Sequence, residues 1–261
     1  MLDEDLEYLK KWFHDYSRSF YSSDKEDRKN ISLKVEHTYN VCENMVLIAK
    51  EQLSSKSEIL LAETVALFHD VGRFPQYAKY RTFMDSISVN HGKLGAEILV
   101  EEKVLQNLTL NEQELIINSV KFHNAFAIPV LKNQVVIFFL KLIRDADKLD
   151  IWRVFSEYFE SNKKERASAV GLGLPDLLEY SETVLSCLYD KKLASLADVK
   201  TLNDFKIIQL TWVYDLHFKT SFRLLLERDY INRIASTLPQ TDEIKKTLLE
   251  LKEFVSKKAV T

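Results

Sequence analysis

Apolar residues recur along the chain at intervals of three and four, the spacing of one helix face, and no stretch shows the strict alternation of a half-buried strand. Glycine and proline number only five and four, which leaves few tight turns between segments. The pattern predicts an all-α chain with helices over about 3–20, 31–52, 57–71, 88–102, 111–125, 133–149, 175–188, 203–230 and 241–258. Neither a solenoid-length repeat nor a low-complexity tract interrupts it. The charged stretch Ser161–Arg166, followed by Gly171–Pro175, marks a boundary between a core over 1–160 and a C-terminal helical extension over 161–261.

Composition changes this picture in three ways. At 261 residues and 46% hydrophobic, the chain is long enough to bury a sizeable core. Its net charge of −3 provides no global field for nucleic acid or an anionic membrane, so an anionic ligand has to be gathered by local residues. The two cysteines, Cys42 and Cys187, sit in apolar helical settings that suit a reduced, cytoplasmic protein. The acidic N-terminus lacks an apolar signal core, and runs such as Val135–Leu140 are too short to span a bilayer. A small molecule, and in association a second copy of the chain, are the partners this composition allows.

The candidate chemistry lies in the histidines: His14, His37, His69, His91, His123 and His217. The tripeptide Phe-His-Asp occurs twice, at Phe13–Asp15 and Phe68–Asp70, and the surroundings separate the copies. Ala62, Val65, Ala66 and His69 share one helix face, so His69 lies on an apolar stripe and needs a partner once buried. His14 is flanked by Lys10, Lys11, Tyr16 and Arg18 and reads as a solvated residue of the first helix. His217, in Trp212–His217, reads as a packed residue of a mostly buried helix. Gly72 suggests a helix C-terminus beside Asp70. The segment Arg73–Arg81 then reads as a loop stiffened by Pro75 that supplies cations and phenols; Phe74, Tyr77 and Tyr80 would stack on a base or close over the core. Arg144 and Lys148 read by default as surface cations. Imidazoles and carboxylates from different helices can converge in a bundle on Zn, Mn, Fe or Ni.

The ordered set His37, His69-Asp70 in "LFHDVGRF", His91 in "SVNHGKLGAEIL", His123 in "KFHN" and Asp147 in "LIRDADKLD" resembles the HD-domain superfamily of metal-dependent phosphohydrolases over roughly residues 31–155. The resemblance implies an HD-type helical bundle in which His37, His69, Asp70 and Asp147 hold one divalent ion. His91 and His123 would hold a second ion bridged by Asp70, or contact substrate where one ion is present. The ions in question are Mn, Ni, Fe, Zn or Mg. Asp145 and Asp150 flank Asp147; Asp150, three residues past it, would support a ligand or lie on a solvated face. The glycine-tyrosine-proline signature of the cyclic-di-GMP phosphodiesterase branch is absent, and Arg73 stands where that branch has lysine.

The chemistry so implied is hydrolysis of a small phosphate ester, with a nucleotide favoured, by metal-activated water. Asp70 and Arg73 are the catalytic candidates. Arg73, with Lys93 or Lys148, would neutralise charge on the phosphoryl oxygens. No P-loop or dinucleotide-binding glycine motif occurs. Two other classes stay open: a di-iron oxygenase, whose ligand order is similar, and a regulatory module in which the metal stabilises the fold.

Overall fold

The computed structural model describes residues 1–161, 170 and 173–260, and every regular element among them is helical. The chain divides into two compact units, Met1–Asp150 and Ile151–Thr261. Residues 162–169 and 171–172, which make up most of the linker expected from sequence, lie outside the described residues. No described helix is long and apolar enough to cross a membrane.

The first unit is built from α1 (Asp3–Arg18), α2 (Lys25–Gln52), α3 (Lys56–Phe68), α4 (Arg73–Tyr80), α5 (His91–Glu101), α6 (Leu110–Phe122) and the part of α7 (Gln134–Glu160) up to Asp150. Helix α3 is its axis. It touches α1, α2 and α6, and Ala62, Val65, Ala66, Leu67 and Phe68 are all fully buried, as expected of a helix that is apolar nearly all round. Helix α1 stacks Trp12 against Phe68 (5.9 Å) and Phe13 against Phe74 of α4 (5.8 Å). Its His14 is exposed, in agreement with the reading from sequence. Asp24 caps α2 by accepting from the amides of Glu26 and Asp27, which is why α2 begins at Lys25, ahead of the start at 31 expected from sequence.

The sequence reading fails at Arg73–Arg81, which is helix α4 and not a loop. Pro75 occupies the third position of α4, where an amide has no intrahelical acceptor to lose. Gly72 consequently serves a different purpose from the one expected. It has right-handed backbone angles, and a Cβ there would lie 2.2 Å from His91 O and 2.8 Å from Gly95 N. Only a residue without a side chain lets the start of α4 press against the backbone of α5. Gly95 also allows close packing, since its absent Cβ would meet Val120 and Val71 at 3.1 and 3.2 Å.

In the second unit, α8 (Glu182–Tyr189), α9 (Leu202–Thr211), α10 (Lys219–Glu227), α11 (Tyr230–Ala235) and α12 (Asp242–Val260) follow the end of α7. All ten residues of α9 are buried. Trp152 of α7 donates to Gln209 O (3.0 Å), and Phe155 meets Phe205 edge-on (4.9 Å). The single helix expected over 203–230 is instead α9, a 3-10 turn (Trp212–Asp215) and α10, so half-buried His217 belongs to the connection and not to a helix. The helix expected from 175 starts at Glu182, because the preceding strand of chain is held against the start of α9: Leu202 N donates to Pro175 O (3.0 Å) and Asn203 Nδ2 to Leu177 O (2.8 Å).

The α4–α5 approach makes a test of the fold. Gly72→Ala sets a methyl group against rigid backbone and should cost about 3 kcal/mol or more. Gly92→Ala, whose Cβ meets the Asn124 side chain at 2.7 Å and the backbone oxygens of Lys121 and Val120 only at 3.0 Å, should cost less. Chemical denaturation of both variants measures the difference, and equal stabilities would show that the two helices separate freely.

Candidate metal centre

Four helix ends and two helix interiors deliver the ligand set. His69 and His123 are the C-caps of α3 and α6. In each, Nδ1 reaches back to the carbonyl three residues earlier, Ala66 O at 2.6 Å and Val120 O at 2.7 Å. A carbonyl only accepts, so Nδ1 carries the proton and Nε2 presents its lone pair. His91 opens α5 behind the Asn90 N-cap and has Nδ1 against both oxygens of Asp85 (2.9 and 2.8 Å). His37, in the middle of α2, has Nδ1 2.7 Å from Asp150 Oδ2. All four rings are thus fixed through Nδ1 with Nε2 turned inward.

Asp70 lies between them. Its Oδ2 is 3.6 Å from His37 Nε2 and 3.7 Å from His69 Nε2, while its Oδ1 is 3.3 Å from His91 Nε2 and 3.8 Å from His123 Nε2. Asp147 adds Oδ1 on the first side, 3.1 Å from His37 Nε2 and 3.7 Å from His69 Nε2. Donors about 2.1 Å from one ion stand about 3.0 Å apart at right angles and about 3.4 Å apart at the tetrahedral angle. The observed separations fit that spacing, and two groups converge in this way: His37, His69, Asp70 and Asp70, His91, His123. The Nε2 atoms of His91 and His123 are 3.0 Å apart with both Nδ1 atoms protonated, so two lone pairs face each other and a carboxylate oxygen. Such an arrangement calls for a cation. The donors are nitrogen and oxygen throughout, a set that suits divalent Mn, Fe, Ni, Zn or Mg.

The family model of the HD domain matches residues 35–152, a span that contains all six of these residues. The chain carries an HD domain. Neither the curated proteins nor the solved structures contain a match to it. HD domains are helical and bind divalent metals, and the fold and the buried His/Asp cluster of this chain agree with both properties.

Within the HD domain the side chains of His37, His69, Asp70, His91 and His123 are at most 4% exposed, whereas Asp147 is 20% exposed. The cluster therefore meets solvent at Asp147. Arg73, the first residue of α4, stands on the Asp70 Oδ1 side: Nη1 lies within hydrogen-bonding distance of Gln76 Oε1 (2.8 Å), Phe83 O (2.5 Å) and Asp85 Oδ1 (2.9 Å), and Nε is 3.4 Å from Asp70 Oδ1. Lys93 is exposed on the first turn of α5. Arg144 and Lys148 are buried, contrary to their reading as surface cations. The Arg144 guanidinium donates to His123 O (3.1 Å), Ala125 O and Phe126 O (3.3 Å), covering carbonyls that the end of α6 leaves open. Lys148 Nζ lies 3.4 Å from Arg144 O.

Sequence reasoning missed three participants. Lys34, one turn before His37, places Nζ 2.7 Å from Asp70 Oδ2, a contact 36 residues away that no local spacing signals. Asn124 follows His123 as Asp70 follows His69, and its amide donates to Asp85 Oδ2 (2.9 Å). Asp85 lies in an aperiodic segment with no local signal, yet Arg73, Gln76, His91 and Asn124 all converge on it. Asp150, for which two readings were open, supports the His37 ring through Nδ1.

Charge follows from these contacts. Burial alone favours a neutral Asp70, but Lys34, His69 and Arg73 hold it well below the usual carboxylate range. Burial and Lys34 disfavour a charged His37, yet its hydrogen bonds to Asp147 and Asp150 push its pKa up to about 9. Burial and Arg73 bring His91 down to about 4, and burial and His69 bring His123 down to about 4.

These directions predict different proton costs at the two positions. At pH 7 His37 is an imidazolium in the metal-free protein and has to lose a proton to become a ligand, whereas His91 and His123 are already neutral. Binding at the His37 position should release close to one proton and tighten about tenfold per pH unit up to about pH 9. Binding at the His91/His123 position should be nearly independent of pH between 6 and 8. Calorimetric titration with Mn²⁺ in buffers of different ionisation enthalpy reads the proton count; identical heats in all buffers would contradict the assignment. Asp70→Ala should abolish both positions, and His91→Ala only the second.

Proposed function

We propose that the HD domain hydrolyses a small phosphate ester, with nucleotides the favoured class. One observation carries this reading: the Asp70 carboxylate is divided between two histidine pairs and has a cation on each oxygen, Lys34 on Oδ2 and Arg73 on Oδ1. Such a site gathers metal and phosphate together on a chain with no net positive charge.

A divalent ion supplies Lewis acidity, which acidifies water and draws charge from a phosphoryl oxygen. The remaining contributions belong to the chain. Asp70 and Asp147 provide the anionic donors, and Asp150 and Asp85 hold His37 and His91 in the tautomer and orientation a ligand needs. Arg73 is locked by Gln76, Phe83 O and Asp85, so its charge stands beside the phosphoryl group without reorganisation as negative charge develops. Phe83 lies 5.8 Å from the Arg73 guanidinium carbon and 5.2 Å from Lys34 Nζ, so its ring steadies both cations beside Asp70. Lys93 and Lys148 keep a secondary place in this reading, as cations on the same two helices that carry His91 and Asp147.

Nucleoside monophosphates, dinucleotides, cyclic nucleotides and non-nucleotide esters, each assayed with Mn²⁺, Ni²⁺, Zn²⁺, Fe²⁺ and Mg²⁺, test the proposal by phosphate release. Turnover should disappear on chelation and in Asp70→Ala. Arg73→Ala should lower kcat/KM by ~2–4 kcal/mol of transition-state stabilisation, more than it lowers metal affinity, with Arg73→Lys restoring only part because a point charge does not reproduce the guanidinium fork. If no phosphate ester turns over while the iron form consumes dioxygen with an organic substrate, the oxygenase reading replaces this one.

A further inference from the structure

We propose that Lys34 is the residue that grasps the phosphoryl group of the substrate, on the His37/His69 side of the centre; this inference rests on the phosphohydrolase reading above. Among the described residues, Lys34 and Arg73 are the lysine and the arginine in contact with Asp70, and they are fixed very differently. Arg73 has Nη1 on three protein acceptors and Nε beside Asp70, so much of its donor capacity is directed at the protein itself. The Lys34 ammonium has three donor hydrogens, and one of them goes to Asp70 Oδ2 at 2.7 Å.

Its surroundings narrow what the other donors meet. The Lys34 side chain is only 16% exposed, and its stem rises from α2 one turn before His37. On another flank the ammonium lies 5.2 Å from the centre of the Phe83 ring, the ring that also faces Arg73. An ammonium this far withdrawn from water needs acceptors for its remaining hydrogens. The oxygen it contacts is the same Asp70 Oδ2 that faces His37 and His69, so Lys34 stands immediately beside the position where a metal-held phosphate oxygen would sit.

The consequence for binding has a definite sign. An ion at the His37/His69 position and the Lys34 ammonium compete for the charge of one carboxylate oxygen, so Lys34 opposes the cation when no anion is present. A phosphate oxygen placed between them relieves that repulsion and is attracted by both. Cation and anion binding are therefore expected to reinforce each other through Lys34, and reciprocally. A lysine whose only role was to hold Asp70 in place would behave in the opposite way, since its removal would weaken the metal site.

Two titrations of the full chain decide this, neither of them an activity assay: Mn²⁺ into the metal-free protein, and inorganic phosphate into the Mn²⁺-loaded protein, each read by calorimetry. In Lys34→Ala, phosphate affinity should fall about 10- to 100-fold, the loss of one charge-assisted hydrogen bond, while Mn²⁺ affinity should be unchanged or rise severalfold. Lys34→Arg, which keeps the charge, should restore most of the phosphate affinity. Unaltered phosphate binding in Lys34→Ala overturns the inference, as does a fall in Mn²⁺ affinity that matches the fall in phosphate affinity. If the unmodified, loaded protein neither binds phosphate nor releases it from any ester, the phosphohydrolase reading itself fails; if it does either while Lys34→Ala matches it in both titrations, only the role of Lys34 fails.

Discussion

The structure of the first unit depends on one buried carboxylate. Asp70 is 3% exposed, and a charge so withdrawn from water is tolerated only when it is paired and hydrogen-bonded. Its two oxygens face different histidine pairs and different cations. Apart from its neighbours His69 and Arg73, the groups brought to it come from other helices, because residues adjacent in sequence cannot by themselves surround a single side chain. The positions of α2, α4, α5, α6 and α7 can be read as the solution to that problem.

The means of delivery is largely a matter of helix termini. A histidine at a C-cap can turn its Nδ1 onto a carbonyl of its own last turn, which fixes the ring and directs Nε2 away from the helix. His69 and His123 both do this. The identical tripeptide at Phe13–Asp15 cannot, because it lies within α1, where the backbone carbonyls are already taken by the helix. The same local sequence thus gives a ligand at one place and a solvated side chain at the other, according to whether the helix ends there. At the opposite polarity, His91 begins α5, and the glycine contacts of Gly72 with His91 O and Gly95 N bring that start within reach of Asp70.

A second layer of polar groups holds the ligands in place. Asp85 ties Arg73, Gln76, His91 and Asn124 together, so the orientation of a candidate ligand and that of a candidate phosphate-stabilising cation share one anchor. Arg144 fixes the chain after His123 from α7. Buried polar residues in the second unit are satisfied in the same manner: Asp204 receives the amides of Ser181, Lys200 and Thr201, which stops the chain before α8 from becoming helical.

What the sequence determined by itself was the helical class and most helix locations, because hydrophobic periodicity is a property of neighbouring residues; the motif contexts also singled out His37, His69, Asp70, His91, His123 and Asp147 as candidates, which the structure brings together. The assignment of Asp150 was half-legible, since i, i+3 spacing from Asp147 puts it near the site without saying which ring it meets. The helix over Arg73–Tyr80, the break after Thr211 and the true use of Gly72 were not legible. Each depends on which distant backbone or side chain lies opposite, and no local pattern records that. Asp85 is the clearest case: nothing around it is periodic, and its importance exists only because four donors from α4, α5 and the end of α6 meet at one carboxylate. Lys34 is similar in kind, an ordinary lysine on α2 until the elbow between α3 and α4 sets Asp70 2.7 Å from its ammonium. Tertiary structure decided these residues because an ionic contact is specified by distance, and the chain separates its partners by 36 residues in one case and 39 in the other.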